Sequence, residues 1–131
     1  MRNDREHQEQ VTLINWSKYF CERYPALKLL HATPNGGQRN PIVAAKLKAE
    51  GVSAGFPDLS LPVARHGFHS LHIEMKVKPN TVKPEQKRWM ENLEAEGNKT
   101  AVCWSWTDAA LIICGYLDID PRAAGIDPRR P

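Results

Sequence analysis

Three charged side chains, Asp58, Glu74 and Lys76, are the part of this sequence best equipped for chemistry. Glu74 and Lys76 stand two residues apart in a run where apolar Leu71, Ile73, Met75 and Val77 alternate with His72, Glu74 and Lys76. That two-residue period predicts a β-strand, so Glu74 and Lys76 leave the same face. The apolar set pins the register, because a slip of one residue would turn both charges into the core. Taken alone, an E-x-K on a strand also describes many surface strands that alternate acid and base. Asp58 adds a second carboxylate. It follows Gly55 and Pro57 in a tight turn at the start of the preceding strand, and a short hairpin-like connection brings it beside Glu74. An Asp that closes a turn is the plain structural alternative. Two adjacent carboxylates repel unless a cation lies between them, and oxygen ligands of this kind suit Mg²⁺ or Mn²⁺. Lys76 would then stand within reach of a cation-activated water, a set suited to hydrolysing a phosphodiester.

The elements that must hold these residues are legible from period and punctuation. A first amphipathic helix runs from about Arg5 to Arg23, with Leu13, Trp16 and Phe20 recurring at helical spacing and Pro25 closing it. Leu27 to His31 reads as a short strand, followed by a turn-rich loop from Thr33 to Asn40. Asn40-Pro41 opens a second helix, Asn as cap and Pro at its first position, and Gly51 ends it. The Asp58 strand and the Glu74 strand come next. A third helix spans Pro84 to about Glu96, ended by Gly97, and Thr100 to Trp104 is a further β-type run. Thr107-Asp108 caps a last apolar helix that continues through Leu117. This order predicts an α/β domain with a single mixed sheet flanked by helices. Residues 1–119 form the domain, and 120–131 form a proline-rich tail that drapes over the surface or moves freely.

Bulk properties narrow the class. A chain of 131 residues, 41% hydrophobic and 25% charged, has the size and composition of one soluble domain with one core. No apolar run approaches the roughly 20 residues that cross a bilayer, and the start lacks a signal-peptide core, so a cytoplasmic location is expected. Cys21, Cys103 and Cys114 are odd in number with no CxxC pair, which argues against a disulfide framework or zinc ribbon and for buried thiols. The net charge of +3 and pI near 8.8 are compatible with a nucleic-acid partner without demanding one. His66, His69 and His72 recur every third residue, but turn and strand geometry scatters them, so zinc is not expected.

With these motifs in place the sequence resembles the VRR-NUC family, the virus-type replication-repair nuclease branch of the PD-(D/E)XK superfamily. The likeness lies in Gly55-x-Pro57-Asp58-Leu59, in Ile73-Glu74-Met75-Lys76, and in Gln86-x-x-Trp89-x-x-x-Leu93-x-x-x-Gly97. It extends to Glu9-Gln10 and Trp16 in the first helix and to Asn35-Gly36-Gly37 and Arg39, covering Glu6 to about Leu117. The resemblance implies a restriction-endonuclease-like core and a metal-dependent nuclease. It implies Asp58, Glu74 and the Met75 carbonyl as metal ligands, Lys76 as the catalytic lysine, Gln86 as a supporting residue and an acidic residue from the first helix. Glu6 and Glu9 both qualify for that last role. Glu9 is chosen because it shares the inward face of Leu13 and Trp16 and adjoins Gln10 as in the family pattern.

For DNA, Gly36 and Gly37 would let backbone amides approach a phosphate, with charge from Arg39 and from Lys46 on the second helix. A chain this short has little means of reading a long base sequence, so branched DNA such as a four-way (Holliday) junction is the expected target, in replication, repair or recombination. Paired cuts need two active sites, hence a homodimer, with apolar Trp104-Trp106 and Leu111-Ile113 as interface candidates. A non-specific or restriction-type nuclease, or a non-catalytic DNA-binding module, are the alternatives.

Overall fold

A four-stranded sheet in the order β1-β2-β3-β4 organises the protein, seen in a computed structural model that describes residues 4–34 and 40–129. The strands are β1 (His31–Ala32), β2 (Leu59–Leu61), β3 (Leu71–Met75) and β4 (Lys99–Cys103). The first two pairings are antiparallel and β3–β4 is parallel, so the sheet is mixed as expected. A parallel pair needs a crossover, and α3 (Pro84–Ala95) supplies it. Helix α1 (Asp4–Phe20) buries Leu13, Trp16 and Ser17, while α4 (Trp106–Leu117) buries Ala109, Ala110, Ile113, Cys114 and Tyr116. These pack with Leu59, Leu61, Leu71, Ile73 and Met75 into one core. Cys103 and Cys114 are buried and Cys21 half-buried, all three as free thiols.

Four local expectations change. Leu27 to His31 is not a strand: Pro25–Leu29 forms a 3₁₀ helix, and only His31–Ala32 pairs with β2. Leu27 and Leu30 are both buried, and residues three apart share a face in a 3₁₀ turn but oppose each other in a strand. The cap of α4 is Ser105, whose Oγ accepts from Asp108 N at 3.0 Å, rather than Thr107-Asp108. The segment after Asp120 is anchored instead of draped. Ala124 is 0% and Ile126 2% exposed, and Trp16 Nε1 donates to the Ala124 carbonyl at 2.8 Å. Finally, β3 is buried along its whole length, on the polar face as well as the apolar one. Its alternating pattern suggests a half-exposed strand, but Phe56 and α3 cover the side that carries His72 and Glu74.

The second helix, α2 (Pro41–Ala49), begins as its sequence dictates: Asn40 Oδ1 accepts from Ile42 N at 2.8 Å, with Pro41 in the first turn. It stops before Gly51, whose φ of +101° belongs to the left-handed region. None of its residues is buried.

Candidate active site

The pairing of β2 with β3 decides where Asp58 goes. Leu59 faces Ile73 across the ladder, so the next step in the same register sets Asp58 opposite Glu74. Asp58 Oδ2 accepts from the Met75 amide at 2.8 Å, and its own carbonyl accepts from Thr33 N at 2.9 Å. Both ends of the residue are therefore fixed to neighbouring strands. Lys76 N donates to the Cys103 carbonyl at 2.9 Å, extending the β3–β4 pairing one residue and keeping Lys76 on the side of Glu74. Lys76 Nζ lies 3.6 Å from Glu74 Oε2. Gln86, in the first turn of α3, donates from Nε2 to the same oxygen at 3.0 Å. Its Oε1 accepts from Lys83 N at 2.8 Å, which fixes the amide so that its NH₂ faces the carboxylate. Asp58, Glu74, Lys76 and Gln86 are thus brought together.

Burial separates this group from an ordinary surface ladder. Glu74 is 3% and Lys76 5% exposed, and long charged side chains are almost never fully buried without a partner. Burial, then the negative charge of Asp58, push the Glu74 carboxyl up to about 8, with Lys76 pulling the other way. One lysine does not balance two carboxylates here, so without a further positive charge Glu74 keeps its proton at neutral pH. An all-oxygen pair in need of positive charge is the chemistry that a hard divalent cation satisfies. The donor set fits one: Asp58 and Glu74 by side chain, Met75 by its carbonyl between Glu74 and Lys76. The Met75 thioether itself is in the core at 1% exposure. Among the described residues no cluster of three His, Cys, Asp or Glu is arranged to hold a metal.

The two first-helix carboxylates take different partners. Glu9 Oε1 accepts from the Trp106 amide at 2.7 Å, 97 residues away in sequence. It closes the N-terminus of α4, where orphan amides and the helix dipole favour an acid. Glu6 is the buried carboxylate of α1, at 7% exposure, and its Oε2 accepts from Asn80 Nδ2 at 2.7 Å on the loop leaving β3. The helical stripe admitted both glutamates. The bond that divides them depends on Asn80, a loop residue with no periodic signal to mark it.

The three histidines are dispersed. His66 sits at positive φ and approaches Asp118 at 3.3 Å, while His69 packs against Gly97. His72 is held between two hydroxyls, Ser60 Oγ at 2.8 Å and Ser70 Oγ at 2.7 Å. Burial and the nearby His31 lower its pKa, so it stays neutral at physiological pH. Lys46 is exposed on α2. Gly36, Gly37 and Arg39 lie outside the described residues.

Residues 2–106 match the family model of the VRR-NUC domain. A solved structure described as "VRR_NUC domain protein" is similar over 91% of this chain and 93% of its own, with 30% identity and a TM-score of 0.74. Comparison with curated proteins gives no match.

Proposed function

The chain belongs to the VRR-NUC domain family and carries its nuclease-like domain, and from that premise we propose that it is a metal-dependent endonuclease that hydrolyses DNA phosphodiesters. The observation that carries the reading is the buried Glu74 carboxylate, set against Asp58 and Lys76 on one sheet face. Asp58, Glu74 and the Met75 carbonyl would hold Mg²⁺ or Mn²⁺. When bound, such a cation supplies charge to polarise the phosphodiester and to acidify the attacking water. Glu74 is aimed by Gln86, whose own amide is fixed by Lys83 N; such a contact behind a ligand keeps it in one rotamer. The Lys76 ammonium, almost wholly buried, offers fixed positive charge to the phosphate and a hydrogen bond to orient the attacking oxygen. In this reading Glu6 is the first-helix carboxylate of the site and Glu9 supports α4.

The substrate that suits a domain of this size is branched DNA such as a four-way junction, cut by a homodimer, in replication, repair or recombination. Trp104 is exposed and Trp106, Leu111 and Ile112 are half-buried, and these would offer the apolar surface for a second copy, whereas Ile113 is wholly in the core. Gly36, Gly37, Arg39 and Lys46 would follow the phosphates. No helix among the described residues is long and apolar enough to cross a membrane.

The test compares four-way junctions with linear duplex of the same sequence, with Mg²⁺ or Mn²⁺, for wild type and Lys76→Ala. Junction cleavage that depends on the metal and is lost in the variant is expected. DNA binding without cutting under either metal would leave only a binding module, and equal rates on linear duplex would remove the preference for branches.

A further inference from the structure

A groove of about 470 Å³ is lined by residues that include Thr33, Glu50, Val52, Ser53, Phe56 and Trp89. The rings of Phe56 and Trp89 meet edge to face at 5.1 Å between centroids, and Phe56 also meets His72 at 5.6 Å. Two of its lining residues are tied to elements of the candidate active site. Thr33, on one wall, donates its amide to the carbonyl of Asp58. Trp89, on the other, stands three residues after Gln86 on α3, about one helical turn, or roughly 5 Å, from the contact with Glu74.

The chemistry of the lining selects an occupant. Two aromatic rings give an apolar wall of the kind on which a flat ring stacks. Among the described lining residues the polar side chains are those of Thr33, Ser53 and Glu50, and none is a lysine or arginine. A phosphate would meet a negative charge there, whereas the amino groups on a base edge would meet acceptors. We propose that this groove holds an unpaired nucleobase of the DNA, belonging to a nucleotide within one or two steps of the cut phosphate. It would make the protein prefer sites where a base is free to leave the stack, such as the centre of a branch. This inference rests on the nuclease reading for its substrate, although base binding can be measured without cleavage.

The probe is a four-way junction in which a single abasic nucleotide is moved through the positions flanking the cut, with binding followed by anisotropy in the absence of divalent cation. One abasic position should weaken binding by wild type five- to a hundredfold, the range for losing one stacked base. In Trp89→Ala the intact and abasic junctions should bind alike. Because Trp89→Ala also removes part of the α3 packing, Ser53→Phe supplies a second variant, filling the groove from an exposed loop position; it too should erase the difference. If no abasic position matters to wild type, or if both variants keep the full difference, the groove does not hold a base. Variants that turn a dimer into a monomer in solution would instead make the groove a contact between copies and overturn the proposal. Cleavage with an indifferent groove would refute this inference alone; base-dependent binding with no cleavage under either metal would refute the nuclease reading alone.

Discussion

The proton held at Glu74 makes a prediction about stability that needs no substrate. Its carboxyl rises from 4.5 to about 8 in the fold, and at about 1.4 kcal/mol per pH unit the full cost of ionising it there is on the order of 5 kcal/mol. The folded state holds this proton more tightly than the unfolded chain, so stability falls as pH rises from 4.5 towards 8 and levels off above. Between pH 6 and pH 8 the linkage integrates to about 2 kcal/mol, roughly 6–10 °C in Tm for a chain of this length. The measurement is urea unfolding of EDTA-treated protein at several pH values, alongside Glu74→Gln, which carries no titrating group at that position. Wild type should lose stability over this window, and the variant should be flatter by about 2 kcal/mol. Adding Mg²⁺ or Mn²⁺ should recover the loss for wild type only, and the apparent affinity should weaken about tenfold for each pH unit below 8, because the proton must leave first. Two parallel stability profiles for wild type and Glu74→Gln would refute the reasoning, and so would a divalent cation that stabilises both equally.

Three further outcomes separate positioning from packing. Glu9→Ala should cost about 1 kcal/mol through loss of the α4 cap and leave cleavage per folded molecule intact, whereas Glu6→Gln should lower cleavage with little change in the urea midpoint. Gln86→Ala should reduce turnover or metal affinity about 10–100-fold by releasing Glu74, read as metal titrations of initial rate against Tm. Ile126→Ala should destabilise by about 2–4 kcal/mol, the cost of emptying a filled core site, and a midpoint unchanged from wild type would return the last segment to the surface.

Much of this arrangement was legible because local rules and tertiary structure agree. The alternation from Leu71 to Val77, the Asn40-Pro41 start of α2 and the Gly97 end of α3 each follow from a requirement that only a few residue types meet. Where the reading departed, a long-range partner decided. Glu9 and Glu6 occupy equivalent places on one amphipathic helix, and only the positions of Trp106 and Asn80 distinguish a cap from a buried acid. The Leu27 segment is too short for period to tell a strand from a 3₁₀ turn. The tail has the composition of a solvated segment, and its retention depends on Ala124 and Ile126 filling space beside Trp16. The second covered face of β3 was the largest omission, because an alternating strand carries no mark of what lies above its polar side.

The bond from Glu9 to Trp106 and the bond from Trp16 to Ala124 have a consequence for how the protein comes into being. Both fasten the first helix to residues far along the chain, 97 and 108 positions away. On the ribosome, α1 has neither anchor until Trp106 and Ala124 have cleared the exit tunnel. Asp58, Glu74 and Lys76 are synthesised before both anchors, so those two bonds can pin the helix bearing Glu6 only afterwards. A chain ending before Trp106 would therefore carry Asp58, Glu74 and Lys76 without either bond that pins the helix of Glu6.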